Sequence, residues 1–339
     1  MADRIVMLTP NWLGDAVMAL PAIGAVRHHR AGATLIIAAR PSTAPLFRMI
    51  SGVDDVVTLE GGVRRETRAL AAARADLAIL LPNSFRSAWV ARRAGIAERW
   101  GYAADLRRFV LTRPAPRPRG RRHQFEYYTA LVSALGMPPG GAPPSCLVVP
   151  DDARSKASAL LAKHGVPEGV PVIGMAPGAA YGRAKQWPPE RFGRLADLLH
   201  RRWRAVSILV GSRADRSVVK ELATGPHLVD LIGETDLPTL AGLLTHCRAF
   251  VSNDSGAMHL AAAANVPVTA VFGATDERAT APLPVASAGA PPHEILTCDV
   301  WCRPCMLREC PIDHRCMTGI DPARVADAVG RQLTFRHES

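Results

Sequence analysis

The chain is constrained most by a strand and helix alternation that it runs through twice. Strand-like runs at residues 5–8, 34–38, 56–59, 77–81 and 97–102 alternate with segments of helical spacing at 16–29, 44–50, 66–75 and 87–94. Parallel strands need crossover connections, and helices of this length supply them. The fold class that follows is α/β, a doubly wound parallel sheet covered on both faces. Residues 113–122 break the pattern with Pro and Arg, and helical spacing returns at 124–135. Pro138-Pro139-Gly140-Gly141-Ala142-Pro143-Pro144 suits no regular element. Residues 147–149 then predict one last strand of the first half, and 151–164 a helix leading out. The alternation restarts with 172–175, 191–201, 205–210, 217–222, 228–230, 237–247, 249–252, 259–265 and 268–272. A chain of 339 residues is long for one core and comfortable for two. Two Rossmann-like domains are therefore expected at 1–150 and 151–320, with 321–339 as a closing helix and tail.

Three stretches follow strand-like runs and so fall at the carboxyl ends of strands, where open parallel sheets bind ligands. The first is Asn11-Trp12-Leu13-Gly14-Asp15. The second is Met175-Ala176-Pro177-Gly178-Ala179-Ala180-Tyr181-Gly182-Arg183-Ala184-Lys185-Gln186-Trp187-Pro188. The third, Val251-Ser252-Asn253-Asp254-Ser255-Gly256-Ala257-Met258-His259, opens a helix. An Asp N-cap, small residues with bare backbone N–H groups and a His one turn in can hold a phosphate at the positive end of a helix. The same residues also serve as a plain helix cap. Gly178 and Ala179 are small where a backbone approaches a ligand, Lys185 supplies a point charge, and Trp187 before Pro188-Pro189 packs as core at a helix start.

A formal net charge of +11 predicts an anionic partner. No apolar stretch approaches the roughly 20 residues that span a bilayer, and the chain enters its first strand at once, so a cytosolic protein is expected. Of seven cysteines, Cys298, Cys302, Cys305, Cys310 and Cys316 crowd together with His314 among them. They are compatible with structural zinc or an iron–sulfur cluster, but the spacing fits no standard zinc finger, and a loop of reduced thiols is the preferred reading. A dinucleotide oxidoreductase is disfavoured because no Gly-x-Gly-x-x-Gly follows the first strand. A metal or nucleic-acid-binding module, suggested by the charge and the cysteines, explains less. Its basic residues are dispersed, aromatics make up only 5% of the chain, and the three motif stretches would lack a purpose.

The three stretches, in this order, resemble glycosyltransferase family 9, the ADP-heptose:lipopolysaccharide heptosyltransferases. Leu81-Pro82-Asn83-Ser84-Phe85-Arg86-Ser87, Gly233-Glu234-Thr235 and Phe272-Gly273-Ala274-Thr275-Asp276 extend the resemblance nearly end to end. It implies the GT-B architecture, two Rossmann-like domains facing each other across a cleft. It also implies an inverting transferase that moves heptose from ADP-heptose to a heptose of the lipopolysaccharide inner core. Transfer to Kdo or to a side-branch heptose is the alternative within the family. Asn-Trp-Leu-Gly-Asp, Leu-Pro-Asn-Ser and the Cys-rich tail favour the members that act on an inner-core heptose.

By the same resemblance Asp15 is the base, although on bare sequence it also fits the N-cap of a helix at 16–29. Lys185 contacts the phosphates, while Asp254, Ser255, Gly256 and His259 line the sugar-nucleotide site. Glu234 corresponds to a ribose-contacting carboxylate, or else to a turn residue before the next helix. Arg64, Arg65, Arg68, Arg86, Arg119, Arg121 and Arg122 fall in loops or helix starts of the first domain and suit an acceptor bearing carboxylates and phosphates, as well as plain solvated surface. No Asp-x-Asp pair occurs, so no cofactor is expected for catalysis. The acceptor implies a cytoplasmic protein in transient contact with the inner-membrane surface, and nucleic acid is not an expected partner.

Overall fold

Each half of the chain builds one six-stranded sheet in which every neighbouring pair is parallel. The structure, a computed structural model, describes residues 4–140, 147–220, 222, 225–284 and 289–335. It divides into two units, Met1–Val148 and Val149–Ser339. The first unit runs β1 (Arg4–Leu8), α1 (Leu13–Met18), α2 (Leu20–His29), β2 (Thr34–Ala39), α3 (Ala44–Arg48), β3 (Asp55–Thr58), α4 (Val63–Ala72), β4 (Leu77–Leu80), α5 (Phe85–Arg93), β5 (Glu98–Tyr102), β6 (Arg113–Ala115) and α6 (Gln124–Ala134). Its strand order is β3-β2-β1-β4-β5-β6, with the direction of winding reversing between β1 and β4.

The second unit runs α7 (Asp151–Lys163), β7 (Val172–Ala176), α8 (Pro189–Trp203), β8 (Val206–Leu209), β9 (Leu228–Asp230), α9 (Leu237–Leu244), β10 (Cys247–Asn253), α10 (Gly256–Ala263), β11 (Val268–Phe272), α11 (Glu277–Thr280), β12 (Glu294–Thr297), α12 (Arg315–Thr318) and α13 (Pro322–Thr334). The order β9-β8-β7-β10-β11-β12 repeats the topology of the first unit. The central strands are buried on both faces, Ile5, Val6 and Met7 in one unit and all of β7 in the other. That is why their sequences are near-continuous apolar runs.

Several local expectations are corrected. The helix expected at 16–29 is two helices, because Pro21 lacks the N–H that a continuous helix would use and instead sits in the first turn of α2. The stretch at 113–122 begins with β6, a three-residue edge strand where Pro114 leaves no central ladder bond unmade. Residues 147–149 form only an isolated antiparallel bridge between Ile50 and Leu147. The segment expected at 217–222 gives a 3₁₀ turn at Arg213–Ser217. Residue 221, residues 141–144 of the Pro/Gly stretch and residues 336–339 of the tail lie outside the described residues. The terminal helix α13 buries Val325, Ala326, Ala328 and Val329 in the core of the second unit, and Gly330 lies so close to the Trp203 ring that a Cβ there would meet it at 2.4 Å.

Strand β12 escaped the sequence reading because it is short and entered through Pro291 and Pro292. His293 locks its entry, taking a hydrogen bond from Val268 N on Nδ1 (3.0 Å) and donating from Nε2 to Leu283 O (2.7 Å). Burial holds the His293 pKa below the ordinary histidine value of 6.5. The unfolded chain therefore binds this proton more tightly than the folded one, and stability falls as pH drops below about 6.5. Urea unfolding between pH 5 and pH 7.5 should show this loss, and His293→Gln should flatten it.

Candidate functional site

The carboxyl edge of the second sheet is tied together by two buried side chains from the end of β10. Asn253, wholly buried, accepts from Trp187 N (2.9 Å) and donates to Pro177 O (2.7 Å), which fixes both ends of the loop after β7. Asp254 follows it. Its carboxylate accepts from Lys185 Nζ at 2.6 Å and from Thr275 Oγ1 at 2.7 Å, joining the loops after β7, β10 and β11 at one point. Lys185 and Asp254 are both largely buried, with side-chain exposures of 13% and 6%. Asp254 is therefore not the helix cap that the sequence suggested. Ser255 is the N-cap residue of α10, its hydroxyl lies 2.9 Å from that of Ser252, and no side chain caps the helix. The first N–H groups of an α-helix, here from Gly256 onward, have no partner within the helix. His259 is buried in the second turn.

The remaining donor-side residues are placed differently. The space beside Gly178 is taken by a neighbour inside the protein, for a Cβ there would lie 2.1 Å from Asp215 Oδ1 unless that carboxylate moved. Ala179 is buried beside it. Trp187 is wholly buried against Phe192 and donates to Ile320 O (3.0 Å), the core role expected of it. Glu234 meets Lys163 (3.3 Å) and His164 (3.2 Å) at the end of α7 and is not brought to the Lys185 cluster. Burial raises its pKa, but the hydrogen bonds from His164 and Lys163 outweigh this and leave it lowered.

The Cys-rich segment is laid over this edge. Arg308 O accepts from Ala184 N (2.9 Å), Tyr181 donates to Met306 O (2.9 Å), and the His314 ring lies 2.9 Å from Ala184 O. A Cβ on Gly182 would meet Arg308 O at 2.4 Å, so only glycine lets the two backbones approach. The Tyr181 ring carries Lys185 on one side at 4.8 Å and Arg308 at 5.3 Å. Arg308 is a cation that the sequence reading missed, for it lies far along the chain and in no motif. Thr275 was quoted but given no role. Cys298, Cys302, Cys305 and Cys310 are half-buried and Cys316 is buried. Among the described residues no group of three or more His, Cys, Asp or Glu side chains is arranged to hold a metal ion.

In the first unit Asp15 lies in the first turn of α1, whose N-cap is Trp12. It is close enough to Tyr128 of α6 that, after burial, its charge is the next cause raising the phenol pKa. Asn11 accepts from Arg40 (3.2 Å), and Arg40 and Arg86 converge on the buried Glu66 carboxylate at 2.5 and 2.9 Å. Arg86 is thus partly neutralised, whereas Arg64, Arg65 and Arg68 are exposed on α4 and Arg65 donates to Gly61 O. Arg119, Arg121 and Arg122 line a pocket of about 470 Å³ together with Arg117 and Tyr127. Arg117 lies over the Tyr127 ring at 5.8 Å, and the Tyr127 hydroxyl accepts from Asn83 (2.8 Å). Arg107 holds that loop from beneath. Wholly buried, it donates to Tyr102 O (3.0 Å), Pro82 O, Ser84 O and Ser87 Oγ, and burial lowers its pKa to about 10.

Residues 63–315 match the model of glycosyltransferase family 9 (heptosyltransferase). The chain is 30% identical over 300 residues to lipooligosaccharide heptosyltransferase 2 of Haemophilus ducreyi, covering 83% of this chain and 86% of that one. It is also 30% identical to lipopolysaccharide heptosyltransferase 2 of Escherichia coli over 298 residues, 83% and 85% of the two chains. The solved structure of E. coli ADP-heptose LPS heptosyltransferase II superposes with a TM-score of 0.80 at 28% identity, over 97% of this chain and 98% of the other.

Breaking the buried pair isolates a charge. Lys185→Met should lower the free energy of unfolding by roughly 3–5 kcal/mol, and Asp254→Asn in that background should restore part of it. A urea-unfolding cycle that finds less than about 1 kcal/mol for the single change would contradict the burial of the pair.

Proposed function

Because the chain belongs to glycosyltransferase family 9, we propose that it is heptosyltransferase II, moving L-glycero-D-manno-heptose from ADP-heptose to the heptose of the lipopolysaccharide inner core. The observation that carries this reading is the match to heptosyltransferase 2 relatives over more than four fifths of the chain. The second unit takes the nucleotide sugar and the first the acceptor. Asp15 accepts the proton of the attacking hydroxyl, whose oxygen bonds to the anomeric carbon as the bond to the diphosphate breaks on the opposite face, and ADP leaves with inversion. No covalent enzyme intermediate forms.

The departing diphosphate gathers negative charge, and three features of the second unit suit it. Lys185 has three donor positions, of which Asp254 occupies one. Arg308, like Lys185, packs on the Tyr181 ring. The bare N–H groups at the start of α10 add the positive end of a helix, worth about 0.3–2 kcal/mol per anion contact. Asp254 is held by Lys185 and Thr275 and orients them, while Ser255, Gly256 and His259 line the donor site and Glu234 meets the ribose. On the acceptor side the pocket of Arg117, Arg119, Arg121 and Arg122 is suited to the phosphates and acidic sugars of the core. Arg64, Arg65 and Arg68, exposed on α4, and Arg86 add further positive charge to the first unit. No helix among the described residues is long and apolar enough to cross a membrane. The enzyme acts from the cytoplasm, peripherally, where the lipid-linked acceptor is presented.

Mass spectrometry of products from ADP-heptose and core acceptors bearing zero, one or two heptoses tests the reading. One added heptose on the one-heptose acceptor is expected, and addition only to another acceptor would place the enzyme elsewhere in the family. Asp15→Asn should lower turnover by about 10² or more with donor affinity nearly unchanged. Normal turnover with lost ADP binding would remove Asp15 from that role. Transfer should continue in EDTA, since Lys185, Arg308 and the α10 N–H groups supply the charge that a divalent ion would otherwise bring. Strict dependence on added magnesium would overturn that assignment.

A further inference from the structure

The segment that joins β5 to β6 turns apolar side chains outward around a buried arginine. Leu106 is 87% exposed and Phe109 72%, while Arg107 between them is wholly buried. The inversion is held from both sides. Asp105 accepts from Phe85 N at the start of α5 (2.6 Å), and Arg107 donates to four oxygens, on β5, on the loop before α5 and in the first turn of α5. Leu106 takes a left-handed φ of 55°, which a leucine adopts only where its surroundings impose it. A guanidinium is costly to bury, and its effect here is to fix Leu106 and Phe109 in water.

The apolar surface continues past the turn. The Phe109 ring lies 6.0 Å from that of Phe85, which stacks on Trp89 at 6.0 Å. Arginines rim it: Arg92 stands over Trp89 at 5.9 Å, and Arg93 and Arg108 are exposed. Projecting apolar tips with a rim of fixed positive charge suit one partner chemistry, an interface with apolar depth beneath anionic headgroups.

We infer that the Leu106–Phe109 turn and the adjoining face of α5 dock the protein on an anionic lipid bilayer. Leu106 and Phe109 enter the headgroup boundary, and the arginines lie against lipid phosphates. The inference deepens the transferase reading and rests on its lipid-linked acceptor. Arg107 binds the carbonyls of Pro82 and Ser84 on either side of Asn83, and Asn83 holds Tyr127 in the wall of the arginine pocket. One buried side chain thus fixes both the docking turn and the pocket where the acceptor saccharide would sit.

Co-sedimentation with vesicles of phosphatidylglycerol and phosphatidylethanolamine, against phosphatidylcholine alone, tests the surface. The protein should bind the anionic vesicles, more weakly at high salt. Leu106→Ser with Phe109→Ser should reduce that binding about 10- to 100-fold, and Arg108→Glu about 10-fold. Both variants should keep the unfolding midpoint and full transfer to a deacylated, water-soluble acceptor while losing rate on the bilayer-embedded one. Undiminished vesicle binding by the double variant, or none by the unaltered protein, overturns the docking surface. Absence of transfer to every acceptor would instead overturn the transferase reading, with the vesicle result still deciding the surface.

Discussion

Taking the Asp254 carboxylate out of water costs several kcal/mol unless a cation and a hydrogen-bond donor come with it. Lys185 and Thr275 meet that requirement from two other loops, so three connections that are far apart in sequence share one fixed point. Asn253, next along β10, does the same for the backbone by tying Trp187 to Pro177. The carboxyl edge of the second sheet is therefore held rigid by side chains shared among its loops. A preorganised site of this kind spends none of its binding free energy on ordering its own groups.

The two units share one strand order but use it differently. In the second, the loops after the central strands close on each other through a buried ion pair. In the first, the corresponding edge keeps its charge unequal. Glu66 absorbs Arg40 and Arg86, and Arg117, Arg119, Arg121 and Arg122 line one pocket together with Gln124 and Tyr127. An excess of positive charge around a concave wall attracts multiply anionic saccharides over a distance set by the ionic strength. Each sheet supplies a scaffold, and the loops supply the difference.

Much of this was legible in the sequence, for reasons that lie in periodicity. Doubly buried strands have to be apolar throughout, so β1, β4, β7, β10 and β11 announced themselves. The motif stretches around Asp15, Lys185 and Asp254 were found because they follow such strands. What the sequence hid was pairing across distance. Lys185 was read as a free charge and Asp254 as a helix cap, since nothing local says that one carboxylate is turned inward to meet the other residue's amine. Arg107 sat unremarked among other arginines, although among the described residues it is the one that is wholly buried. The edge strands β6 and β12 carry prolines in or beside them, and such strands look like loops until a neighbour is present to pair with. Gly178 was read as making room for a ligand, and the sequence did not show that Asp215 stands beside it.

The close approach of Gly182 to the Arg308 carbonyl has a consequence for how the protein is made. Tyr181 reaches its partner Met306 across 125 residues of chain, and Ala184 and His314 fasten the same two segments together. On a ribosome, the first unit has emerged whole before the second begins, and units of this kind fold in that order. The loop bearing Lys185 emerges early in the second unit and waits. Its final shape is available only after the cysteine-rich segment has been synthesised, so the first unit exists as a folded body well before that loop is fastened. Truncated chains released before that point would carry a folded first unit while the Lys185 loop stayed unfastened.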